Sequence, residues 1–277
     1  METQQTASDN AVSHPVLAME ARDLEALKQA YRHLEHPSLA ARLSNVIGTP
    51  IETALKLLPR RWSHQLHRTS EAAIARALDA ALSSLHRRRE LIPHPGFYKG
   101  LVAGSGALGG LFGLPGFVAE IPVTTTLMLR AIADIAREEG ETLSAPDARA
   151  ACLEVFALGG RTEVDDAAET GYYGVRLALA GYLSSSLSAA LGGEQAAPAL
   201  VALTRAVAAR FGVSLSQRAA AQVMPLVGAL GAATINTIFM QHFQSMARGH
   251  FTMRRLERKY GPSLVEANYQ ALARSLG

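Results

Sequence analysis

Apolar positions recur along this chain with the period of a helix. Ile121, Met128, Ile132 and Ile135 fall on one stripe, while Arg130, Asp134 and Arg137 lie elsewhere, on the surface; that spacing predicts an amphipathic helix. No stretch alternates with period two between turn residues, and β-branched residues are scattered, so no sheet of consequence is expected. The punctuation agrees. Ser144–Asp147, Thr162–Asp165, Ser214–Gln217 and Ser263–Glu266 each set a hydroxyl three residues before an acid or amide, as at capped helix starts. Gly140, Gly212 and Gly261 stand where helices should stop, and Pro262 follows the last of them. The pattern predicts an all-α chain of about nine or ten helices.

Two apolar segments, 101–119 and 219–247, are rich in glycine and other small residues. Gly100 and Gly104, Gly106 and Gly110, and Gly109 and Gly113 are spaced by four, and Gly228 and Ala232 repeat the theme beside Pro225. Small residues at that spacing let helix backbones approach closely, so the two segments are expected as central helical hairpins of one bundle. The first also contains Gly104-Ser105-Gly106-Ala107-Leu108-Gly109, a literal match to the dinucleotide-loop string. Its context fails, because Gly113, Pro115 and Gly116 interrupt the helix that should follow, no strand precedes it, and no acid stands about 20 residues later. Leu101 to Ala119 carries no charge and approaches the length of a membrane span, about 20 residues. Against that, the first segment has Gly and Pro, and the second holds Gln222, Asn236, Gln241 and His242. Whether these segments form a soluble core or enter lipid stays open.

Composition narrows the class. The 277 residues are 48% hydrophobic and 18% charged, with few aromatics, which suits helix packing more than sheets. The net charge of +3 does not by itself call for a nucleic-acid partner. Residues 1–17 are polar and read as a disordered tail without the features of a secretory signal, leaving 18–277 as a single helical domain. A cytoplasmic location is therefore expected. A lone cysteine, Cys152, excludes an internal disulfide and a multi-cysteine metal site; inside a helix and without an adjacent His, it reads as a buried, inert thiol.

Candidate chemistry is sparse. No nucleophile elbow, zinc-protease string or P-loop is present. His33 and His36, like His64 and His67, share helix faces but lack a third ligand. Glu163, Asp165, Asp166 and Glu169 open a helix, where the macrodipole favours acids. Glu120, before Ile121-Pro122, is read as capping the next helix or as a partly buried acid paired with Arg130 or Arg176. The stretches "HRRR" at 86–89 and "RRLERK" at 254–259 are solvated helix faces or contacts for anionic headgroups.

The runs "GLVAGSGALGGLFGLPGFVAEIPVTTTLMLRAIADIAREEG", "TGYYGVR" at 170–176 and "MPLVGALGAATINTIFMQHFQSMARGHFTMRRLERKYG" at 224–261 together resemble the EcsC family, most strongly over residues 85–261. Glu120 departs from the Asp usual in the family. The resemblance implies an all-helical bacterial protein and brings no defined reaction, cofactor or ligand. Glu120, Tyr173, Arg176 and Asn236 are the candidates for a polar cluster between the glycine-rich helices, and Arg254, Arg255, Arg258 and Lys259 for a basic surface. Three readings follow. The first is a non-enzymatic protein at the inner-membrane surface, or with a membrane transport complex, supporting an envelope or transport process. The second is a soluble helical module holding a lipid-like apolar molecule. The third is a hydrolase-like enzyme built on buried acids.

Overall fold

The computed structural model describes residues 19–35, 38–85, 98, 100, 113–160, 171–190, 196–224 and 229–276. Ten helices run through them: α1 (Ala21–Glu35), α2 (Leu39–Ile47), α3 (Ile51–Leu57), α4 (Arg60–Leu85), α5 (Gly113–Glu138), α6 (Pro146–Leu158), α7 (Gly171–Ala190), α8 (Ala196–Val223), α9 (Ala229–Tyr260) and α10 (Pro262–Leu276). No strand occurs among the described residues. The N-terminal tail, the glycine string at 104–109, the "HRRR" stretch, the 163–169 acids, His36, Pro225 and Gly228 all lie outside the described residues.

Two long helices organise the bundle. α9 has 32 residues, about 48 Å of axis, and packs against α1, α2, α5, α6, α8 and α10. α8 crosses it and gathers α3, α4, α6 and α7 on its other sides. Their junction is aromatic. Phe156 of α6, Phe211 of α8, and Phe239 and Phe243 of α9 stack with ring centroids 5.0 Å apart for Phe156–Phe211 and for Phe239–Phe243. All four are fully buried, each contributing about 1.5–3 kcal/mol through removal from water. The end of α6 meets the α8 backbone so closely that a Cβ on Gly160 would stand 2.0 Å from the Arg210 carbonyl oxygen.

The helical stripe of α5 is as the pattern predicts, with Ile121, Met128, Ile132 and Ile135 buried. Asp134, expected at the surface, is instead buried, where it accepts from the Tyr98 hydroxyl at 2.5 Å and pairs with Arg137 at 2.6 Å. Gly140 and Gly261 do end helices, at φ +84° and +85°, a conformation that favours glycine.

Other local expectations are overturned. Gly212 does not stop a helix: α8 runs through it, and Ser214 spends its hydroxyl on the Gly159 carbonyl at 2.8 Å instead of capping. α6 starts at Pro146 after Ala145, with no side-chain cap from Ser144, and Ser263 lies inside α10. Gly113, Pro115 and Gly116 fall within α5 and do not interrupt it, and Glu120 sits in its interior, where it caps nothing. Pro122 removes one backbone donor there, yet the helix continues because its buried stripe outweighs a cost of about 3 kcal/mol. Thr125 and Thr126 donate to the carbonyls of Ile121 and Pro122 at 2.7 and 2.8 Å along the same stretch.

Candidate functional site

Glu120 and Asn236 do meet, and an arginine that the sequence pattern did not single out joins them. Arg218 of α8 is fully buried. Its Nη2 donates to Glu120 Oε1 at 2.7 Å and its Nε to Asn236 Oδ1 at 2.8 Å. Asn236 Nδ2 returns a bond to Glu120 Oε1 at 3.2 Å, and Thr124 donates to the same oxygen at 2.7 Å. The guanidinium lies between the rings of Phe117 and Phe239, 4.9 and 5.0 Å from their centroids. Burial pulls its pKa down, opposed by the Glu120 carboxylate. Sealed on all these sides, the cluster ties α5, α8 and α9 together. The clue in the sequence was Arg218 set directly against the run Ala219–Ala221 of α8.

Tyr173 and Arg176 form part of a second cluster. On α9, Asn236 and Glu257 are 21 positions apart, about 30 Å of helix axis, so the four expected residues divide between two places. Tyr172 and Arg176 share a face of α7 one turn apart, as His250 and Glu257 share one of α9 two turns apart. Arg176 donates to both oxygens of Glu257, at 2.5 and 3.2 Å, and to the Tyr172 hydroxyl at 3.3 Å. That hydroxyl lies 3.2 Å from His250 Nδ1, and His250 Nε2 lies 3.2 Å from Glu154 Oε2 of α6. Burial holds His250 below the ordinary imidazole pKa despite Glu154, leaving it neutral at physiological pH. Burial also pushes the Tyr172 phenol well above its usual range.

This Glu154–His250–Tyr172 chain has the order of an acid–base relay, but Tyr172 is fully buried and hydrogen-bonded, so it offers no exposed nucleophile. What the cluster does offer is a cleft of about 590 Å³, within the size range of small-molecule sites. Its polar side is formed by Glu154, Tyr173, Arg176, Glu257 and Glu266, its apolar side by Leu177, Ala180 and Leu183. His250, Glu154 and Glu257 were all missed in the sequence, although "ARGHF" and "RRLE" contain two of them.

The basic residues near the end of α9 are engaged. Arg254 donates to both oxygens of Glu141, at 2.8 and 3.2 Å, and to Asp147 at 3.0 Å. Arg255 reaches Glu139 at 2.7 Å, and Arg258 contacts Glu141. Lys259 joins Glu20 at 2.9 Å and Asp23 at 2.7 Å. The Lys259 hydrogen bond, then that from Tyr260, holds Asp23 down at about 2. Burial raises Glu141, but Arg254 and Arg258 outweigh it and leave its pKa lowered. The four cations staple α1 and the α5–α6 loop onto α9, at the helix end where the macrodipole favours positive charge.

Elsewhere, Cys152 is buried, which pushes its thiol up to about 12. His67 stands 3.6 Å from Glu71. No group of three or more His, Cys, Asp or Glu among the described residues is arranged to hold a metal.

The EcsC protein family matches residues 21–256. This chain belongs to the EcsC family. The match extends well upstream of residue 85, taking in α1 to α4, so the Asp23–Lys259 staple joins the start of the EcsC match to a helix at its end. Neither the curated proteins nor the solved structures contain a match to this EcsC chain.

Proposed function

We propose that this EcsC-family chain is a non-enzymatic peripheral protein of the inner-membrane surface, supporting an envelope or transport process, and that it rests on lipid through the outer face of α7. The observation that carries the reading is an uncovered apolar surface. Leu177 is 79% exposed, Tyr182 44% and, on the adjoining α8, Val201 48%. From Leu177 to Thr204 the only charged residue is Glu194, and the cations Arg176 and Arg205 flank the run. Apolar patches of this kind mark interaction surfaces, and exposed Arg205 at the end of the run suits the headgroup layer.

The stretch Pro115–Glu138 of α5 is the only helix among the described residues long and apolar enough to span a bilayer. More than half of it is buried in the bundle, and it carries buried Glu120 and Asp134. That favours a protein lying on the membrane over one crossing it. The basic end of α9, occupied by its own carboxylates, adds little to the attraction.

Flotation of the full chain with vesicles of mixed zwitterionic and anionic lipid tests the reading. Binding should persist at high salt, because apolar contact is not screened. A protein that stays in the aqueous fraction, or leaves the vesicles with salt alone, would overturn it.

A further inference from the structure

We propose that the cleft between α7, α9 and α10 binds a primary ammonium group carried on an apolar chain, with the ammonium at Glu154, Glu266 and the Tyr173 hydroxyl and the chain along Leu177 and Leu183. Charge sets the sign of the ligand. The cleft wall holds three carboxylates, Glu154, Glu257 and Glu266, against one guanidinium, Arg176. Arg176 is already held by both oxygens of Glu257, so an anion would find no available partner and two further negative charges. Glu154 and Glu266 carry the remaining charge. Glu154 is buried, with its Oε2 3.2 Å from Nε2 of His250, a ring that burial keeps below its ordinary pKa and so offers no full positive charge. Glu266 accepts only a long 3.4 Å bond from Gln270.

Hydrogen-bond capacity sets the type of cation. Tyr173 lines this cleft, and its hydroxyl is buried without a hydrogen-bond partner, a costly state for a phenol. Two carboxylates and one hydroxyl oxygen match the three N–H donors of a primary ammonium. A trimethylated ammonium has none to give. The apolar side of the cleft continues onto Leu177, the most exposed large hydrophobic residue of the described chain, which provides a path for an aliphatic chain out of the site.

The same chemistry is presented by an aminophospholipid headgroup and by a soluble alkylamine. The cleft does not depend on α7 resting on a membrane, so the two proposals fail separately. Titration of the full chain with octylamine, octyltrimethylammonium and octanoate, followed by calorimetry, tests the cleft in solution. Octylamine should bind, and the other two at least about tenfold more weakly. E266Q and Y173F should each weaken octylamine about tenfold, while E138Q, on the exposed end of α5, should not. Thermal melts identify any variant that fails to fold.

Stronger flotation with phosphatidylethanolamine than with phosphatidylcholine vesicles, lost in E266Q, assigns the ligand to lipid. Equal flotation on the two assigns it to a soluble amine. No octylamine binding, or octanoate binding as tightly as octylamine, overturns the proposal.

Discussion

The basic end of α9 and the outer face of α7 both invite a membrane, and they differ in what already covers them. Arg254, Arg255, Arg258 and Lys259 give the sequence its most conspicuous positive run, yet in the folded chain each contacts a carboxylate at the start of α1 or in the loop that follows α5. The face of α7 shows the reverse. It contributes almost no charge to the sequence, so nothing there stands out, but Leu177 and Tyr182 are left without cover. Attraction to a partner depends on the groups left unsatisfied after folding, and the residues present in the sequence do not determine which those are.

The comparison breaks most severely if the frame beneath it fails. α7 is carried by α8, which Arg218 anchors to α5 and α9. Arg218→Ala would leave Glu120 charged and buried without its guanidinium, a loss of about 3–5 kcal/mol. The double variant R218M/E120L, which removes both charges and keeps apolar volume between Phe117 and Phe239, should recover most of that in a urea denaturation series. If R218A alone proves harmless, the pair does not hold the helices as described.

Adding charge to the α7 face sharpens the contrast. L177E/Y182E changes exposed side chains, so the melting temperature should hold, while vesicle partitioning should drop about a hundredfold, the equivalent of keeping two large apolar side chains in water. Undiminished flotation of this variant would move the membrane contact elsewhere.

The α9 end should respond in the opposite way. Glu141→Gln removes the carboxylate that Arg254 and Arg258 share, leaving Arg254 with Asp147 and Arg258 without a carboxylate partner, at a cost of roughly 1–3 kcal/mol of stability from lost charged hydrogen bonds. It should also create a salt-sensitive attraction to anionic vesicles that the parent chain lacks. Flotation compared at low and high ionic strength separates the two components.

Acid should produce the smallest effect. The carboxyl of Asp23 has a lower pKa in the fold than in the open chain, because Lys259, Tyr260 and Arg255 face it. Its contribution is complete above about pH 4 and is lost as pH falls towards about 2, where the carboxyl takes up a proton. A pH series of melting temperatures on D23N and the parent chain should converge in that range, and a constant gap between them would refute the assignment.

The helical architecture was legible from period and glycine punctuation because both are local. The α5 stripe follows from spacing alone, and Gly140 and Gly261 stop helices through their own backbone. Gly212 and Ser214 carry the same local signals and mislead, since their roles are set by contacts with distant segments: Ser214 bonds to Gly159, 55 residues away. A Cβ on Gly212 would lie 3.7 Å from His67 and Ser70 of α4. Glu120 and Asn236 were recognisable as polar residues in apolar surroundings. Arg218 was not, because an arginine in a helix ordinarily reaches water, and its partner lies 98 residues earlier. His250 and Glu154 meet only once α6 and α9 are packed. The run 254–259 displayed its cations while their carboxylates lay scattered from Glu20 to Asp147.

Membrane depth measured at two positions tests the central claim most directly. Cys152 is buried with its thiol pushed up to about 12, so nitroxide labels can be placed selectively at L177C on α7 and at S263C, which is exposed beside the basic end of α9. On vesicles, the account predicts that the label at 177 relaxes with oxygen, the apolar-phase quencher, and that the label at 263 relaxes with a water-soluble nickel complex. Lipid-like relaxation at 263 with an aqueous signal at 177 would contradict it.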